Sequence, residues 1–232
     1  MIDDTTSERD EGAVREPDAD LDLLERWKRG DLRAGSALFE RHFESVYRFF
    51  VHRAPSHATD LVQRTFLSCV EARDRFRGTS SFRTFLFAIA RNELLVWLRR
   101  RQRDAVDEGG SSVADRAPSP STQMHRRFEH RVLLEALRAI PLDLQIALEL
   151  HYWEQMSVAE IAEVMRVPVG TAKSRLRRAR EALVEAIRAL EEDPAKLGST
   201  LASLDQWPRR ARGARSGGRG APRSRAGRSG AS

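Results

Sequence analysis

The chain has 232 residues, 41% of them hydrophobic, which is enough for modest cores in one or two small domains rather than one large core. Its formal net charge of +6 hides an asymmetry: residues 1–20 carry eight acids against two arginines, and residues 206–232 carry eight arginines and no acid. Cys69 is the only cysteine, which excludes an intrachain disulfide framework and a thiolate zinc site, and no apolar run reaches the roughly 20 residues of a membrane-spanning helix.

The basic balance points to nucleic acid or an anionic surface as partner. Cysteine usage, with an N-terminus that lacks the basic and apolar regions of a signal peptide, sets the expectation of a cytoplasmic protein without membrane insertion.

In chain order, the acidic residues 1–20, with Pro17 and few apolar side chains, are expected to lack fixed structure. The folded part starts near Leu21. Leu38, Phe39, Phe43, Val46, Phe49 and Phe50 recur at helical spacings and give one helix an apolar stripe, which Pro55 ends. A second helix carries Leu61, Val62, Phe66, Cys69 and Val70. After Gly78 a third runs from about Ser81 to Arg103, with Phe82, Phe85, Leu86, Ile89, Leu94 and Leu98.

These helices define a first domain over residues 21–103. Residues 104–125, rich in Gly, Ser and Pro, read as a flexible linker. Helical periodicity resumes over 126–192, with a restart at Pro141, and the Arg/Gly/Ser-rich residues 193–232 are expected to be disordered. The predicted fold class is all-α: two small helical domains, no strand and no internal repeat.

Ser157 followed by Glu160 is a capping box, so a short helix is expected from Val158. Pro168 disfavours helical geometry at Val167 and forces a turn after Met165. The next helix buries Ala172, Leu176, Ala179, Leu183, Ile187 and Leu190 on one face. Its opposite face carries Gly170, Thr171, Ser174, Arg177 and Arg178, flanked by Lys173, Arg175 and Arg180. A short capped helix, a turn and an amphipathic basic helix form a helix-turn-helix. Small polar groups at the start of its second helix suit the major groove, and the later arginines suit phosphates. An ordinary solvated helix face is the alternative reading of those arginines.

Together these residues resemble the extracytoplasmic-function class of bacterial sigma factors. The likeness lies in DLVQRTF and FRGTSSFRTFLFAIARNELLVWLRR, similar to that family's region two, and in SVAEIAEVMRVPVGTAKSRLRRAREAL, similar to region four. It implies promoter-specific transcription initiation as a subunit of RNA polymerase.

The resemblance assigns Asp60, Leu61, Gln63 and Phe66 to docking on the clamp helices of the polymerase beta-prime subunit, although Leu61 and Phe66 read more simply as core. It assigns Asn92 to reading an unstacked minus-10 base, with Arg83, Arg91, Arg99 and Arg100 as cations and Trp97 as the best exposed aromatic. An ordinary surface asparagine is the competing reading of Asn92. Gly170, Thr171, Lys173, Ser174, Arg177 and Arg178 would meet the minus-35 duplex.

Core RNA polymerase, including the beta flap, and promoter DNA are the implied partners, and an anti-sigma factor is a further one that the family raises. Three departures stand out: Arg64 replaces a usual acid, Val96 and Trp97 replace a common Asp and His, and Arg166 stands where Gly is usual.

No Gly-rich phosphate loop, nucleophile elbow or clustered carboxylates accompany the basic residues, so neither an enzyme activity, a cofactor nor a metal site is expected. His125 and His130 read as surface. A stand-alone helix-turn-helix regulator is the rival function, although it would not need this first domain. A sequestering protein without base reading is a second rival.

Overall fold

In the computed structural model, residues 19–107 and 124–190 are described. They form α1 (Ala19–Lys28), α2 (Leu32–Val51), α3 (Ala58–Ala72), α4 (Phe82–Asp107), α5 (Met124–Ala139), α6 (Leu142–Tyr152), α7 (Val158–Met165) and α8 (Val169–Leu190), with no strand among the described residues. Most of the expected acidic lead-in, most of the expected linker and all of the expected tail, together with His125 and His130, lie outside the described residues or side chains.

The folded part starts two residues before Leu21. Asp20 is buried in α1, where its carboxylate meets His42 Nε2 at 2.6 Å and accepts from Arg41 Nη1 at 2.5 Å. Burial alone would raise this carboxyl; His42 and Arg41 hold it below its ordinary value. A polar side chain near an acidic lead-in carries no sequence signal of burial, because its partners lie on the next helix.

Asp31 caps α2 by accepting from the backbone N–H of Arg33 and Ala34 at 3.0 and 3.2 Å. The α1–α2 crossing is close at Gly35, where a Cβ would lie 2.7 Å from the Trp27 indole. Leu38, His42, Val46, Phe49 and Phe50 then face the core of the first domain with Leu61, Val62, Cys69, Phe82, Leu86, Phe87 and Leu94. His42 takes the inward position through its bond to Asp20, and this turns Phe43 outward; it is 44% exposed rather than part of the buried stripe. Burial pushes the Cys69 thiol up to about 12, so it packs as a small apolar group.

Gly78 adopts φ +72°, a left-handed conformation that favours glycine, and lets the chain turn into α4. Ser81 caps that helix by accepting from the Thr84 N–H at 3.1 Å. The helix continues to Asp107, past the expected end at Arg103.

In the second domain both halves of the capping box form: Ser157 Oγ accepts from the Glu160 N–H at 3.3 Å, and Glu160 Oε2 accepts from the Ser157 N–H at 2.9 Å. Ser157→Ala is expected to lower stability by about 1 kcal/mol, read as a lower urea midpoint with unchanged slope. Arg166 ends α7 at φ 53°, the left-handed geometry expected at this non-glycine turn. Ala172, Leu176, Ala179, Leu183 and Ile187 are buried, while Leu190, the last residue of the expected stripe, is 44% exposed.

The two domains pack on each other. α4 lies along α7, and near the C-terminal end of α2 Arg48 pairs with Glu154, just past α6, and Arg53 pairs with Glu149 of α6. Consecutive residues Ile146–Leu150 are all buried, because α6 is covered on both sides. Among the described residues no helix is long and apolar enough to cross a membrane.

Candidate nucleic-acid interface

The first turns of α8 emerge from the short capped helix with their polar face outward. Gly170, Lys173, Arg177 and Arg178 are exposed; Thr171 and Ser174 are half-buried. A Cβ at Gly170 would meet nothing within 4 Å, so the helix start is open to close approach. Ser174 Oγ donates to the Thr171 carbonyl at 3.0 Å, which leaves the hydroxyl oxygen outward as an acceptor. Arg177 pairs with Glu181 at 2.6 Å on the surface, with both side chains more than half exposed.

The flanking arginines turn back onto the protein. Arg175 reaches Asp143 at 3.2 Å, and Arg180 donates to Tyr152 Oη at 2.9 Å and lies over its ring. Periodicity assigned both to the rim of the outward face; their partners come from α6, 28 or more residues away in sequence.

On α4, Asn92, Arg99 and Arg100 are exposed. Arg83 lies 3.7 Å from Glu160, and Arg91 lies 3.5 Å from Asp143, both across the domain boundary. Burial alone would raise the Glu160 carboxyl, but hydrogen bonds from Ser157, with the Arg83 charge and the Thr84 hydroxyl, hold it below its ordinary value.

Trp97 corrects the expectation of an exposed stacking platform. It is only 9% exposed, packs against His57 with ring centroids 5.2 Å apart, and is covered by Arg101 at 5.4 Å. At 100° per residue it shares a face with Ala90 and Leu94, both fully buried.

Leu61 is fully buried in α3, in line with its simpler reading as core and against the docking role that the resemblance assigns it. Its neighbours Asp60 and Gln63 are exposed, and Asp60 pairs with Arg64 one helical turn on at 3.0 Å. Phe66 is half-buried, stacked on Phe39 at 4.4 Å with Phe43 6.5 Å away. Exposed Phe43 and Leu67 extend this apolar surface, and sequence reasoning had placed Phe43 in the apolar stripe of α2.

A core-packed domain with exposed Asn92, together with a helix-turn-helix whose first face is exposed and basic, has the features of a DNA-binding protein. Comparisons with known proteins give its family. Residues 38–104 match the family Sigma-70 region 2, and residues 130–183 match Sigma-70, region 4. The chain is 35% identical over 185 residues to the RNA polymerase sigma-H factor of Pseudomonas aeruginosa, covering 74% of this chain and 95% of that protein. It is 32% identical over 180 residues to the ECF RNA polymerase sigma-E factor of Escherichia coli, covering 72% and 94%.

Among solved structures it resembles the sigma factor RpoE of Bartonella quintana, seen in complex with the anti-sigma factor NepR. That match has TM-score 0.59 and 25% identity, covering 66% of this chain and 96% of that one. The fold is shared with CnrH, at TM-score 0.54 over 74% of this chain and 99% of that one. The chain belongs to the extracytoplasmic-function sigma factors of the sigma-70 family. It is accordingly an RNA polymerase sigma factor that directs promoter-specific transcription, a non-enzymatic initiation role, and the free-standing regulator is not favoured.

Proposed function

We propose that the first domain docks on the beta-prime clamp helices through Asp60, Gln63 and Phe66, joined by Phe43 and Leu67. In this reading Asn92 reads an unstacked minus-10 base, with Arg83, Arg91, Arg99 and Arg100 holding the strand backbone. The second domain sits at the beta flap and places Gly170, Thr171, Lys173, Ser174, Arg177 and Arg178 against the minus-35 duplex. Residues 21–103 and 126–192 are the two functional units, joined through 104–125.

The observation that carries this reading is that Asn92 stands exposed on a helix whose remaining inward positions are closed by core. An amide both donates and accepts, which suits one base edge, while exposed arginines supply the sequence-independent part of the affinity. The test is selection of promoter sequences by holoenzyme formed from the full chain. Asn92→Ala is expected to relax the preference at one minus-10 base while leaving the minus-35 preference intact. An unchanged minus-10 preference removes this role from Asn92. The Bartonella quintana relative was seen with an anti-sigma factor, and a partner of that kind is proposed here too.

A further inference from the structure

We propose that Val169 is a specificity-determining residue of the second domain, which reads the C5-methyl group of a thymine in the major groove of the minus-35 element. This inference rests on the assignment of the first face of α8 to that duplex.

The large hydrophobic side chains exposed among the described residues divide by place. Leu32, Phe43, Leu67 and Val70 lie on α2 and α3, Leu190 ends α8, and Val169, at 55% exposure, is the first residue of α8. At 100° per residue Val169 has the phase of Ile187, which is fully buried, so its exposure comes from standing at the tip of the helix. That tip is held firmly. The Pro168 carbonyl accepts from the N–H groups of Thr171 and Ala172 at 2.9 and 3.0 Å, and a β-branched side chain in a helix has little χ1 freedom left to lose on contact.

The surroundings of Val169 say what it meets. The first turn of α8 carries no acid, although an acid there would complement the helix dipole; the same acid would repel DNA phosphates. Lys173, one turn on from Val169 along the same face, is exposed and basic, and Gly170 beside it leaves open space for close approach. The N-terminal residues of a recognition helix are those that contact base edges, so Val169 enters the groove with Thr171 and Ser174. Its side chain neither donates nor accepts a hydrogen bond. Of the four bases thymine alone presents an apolar group in the major groove, its C5-methyl, and contact between the two takes both out of water.

The test uses holoenzyme formed from the full chain and core RNA polymerase, bound to the duplex that promoter selection yields, with uracil replacing each minus-35 thymine in turn on either strand. Uracil lacks only the methyl group. The native holoenzyme is expected to bind about fourfold more weakly when one particular thymine is replaced, the loss that one buried methyl represents. Val169→Ala should bind the thymine and uracil duplexes equally at that position and keep the native ratio at every other. Val169→Ile, which keeps a branched apolar tip, should retain the native sensitivity.

A native holoenzyme insensitive to uracil at every position overturns the inference, as does a fourfold loss that persists in Val169→Ala, or a selected minus-35 element without an A·T pair. Arg177→Ala with Arg178→Ala separates the two ideas. Promoter binding that is not weakened there means that the minus-35 assignment itself has failed. Weakened binding there, with no thymine position answering to Val169, means that the assignment stands and the methyl reading does not.

Discussion

Replacing Arg177 and Arg178 together by alanine is expected to weaken holoenzyme binding to its own promoter by about 2 to 6 kcal/mol, from two groove contacts of about 1 to 3 kcal/mol each. Both side chains stand on the outward face of α8, where Arg177 meets the surface carboxylate of Glu181 one helical turn on. An exposed pair of that kind is worth at most about 1 kcal/mol, so a base edge can displace it. Competition binding with promoter and unrelated duplex is the check. If both arginines touch only phosphate, the two affinities fall together and the salt slope drops by about 0.9 per arginine, with no change in their ratio.

Phe87→Ala is expected to destabilise the first domain by about 3 to 5 kcal/mol, a large part of the roughly 5 to 15 kcal/mol that holds a domain folded. Phe87 is fully buried and meets Phe49 edge to face at 5.7 Å, and Phe49 in turn packs on Phe50 at 5.3 Å. Truncation opens a cavity beneath the α2–α4 contact, where Phe49 also supports Arg53. Urea unfolding followed by far-ultraviolet dichroism measures it. Leu67→Ala is the matched contrast: at 64% exposure it should shift stability by less than about 0.5 kcal/mol while weakening polymerase binding.

The helix-turn-helix was the most legible part of the sequence because its signals are local. The capping box, the proline-bearing turn and the spacing of Ala172, Leu176, Ala179, Leu183 and Ile187 each specify the same geometry within a few residues, and each has its counterpart in α7 and α8. Features set by contacts between distant segments were not legible. Asp20 is buried because Arg41 and His42 await it, and Arg175 and Arg180 fold back onto the protein surface because Asp143 and Tyr152 lie beside them.

Trp97 shows a different limit. Resemblance places a residue in a motif, but helical phase decides whether it faces a partner; Trp97 shares the phase of core neighbours, whereas Leu61 already read more simply as core. The buried Arg53–Glu149 ion pair was invisible for a third reason. Glu149 lies among Ile146, Ala147, Leu148 and Leu150, where a carboxylate reads as the polar side of a helix; burial pushes its carboxyl up, against the opposing pull of Arg53.

The most direct measurement of the central claim is co-elution of the full chain with bacterial core RNA polymerase, followed by transcription from promoter fragments by the recovered complex. The account predicts that the chain enters the polymerase peak and confers discrete start sites that core enzyme alone does not use. A chain that stays out of that peak while binding duplex DNA by itself would contradict it.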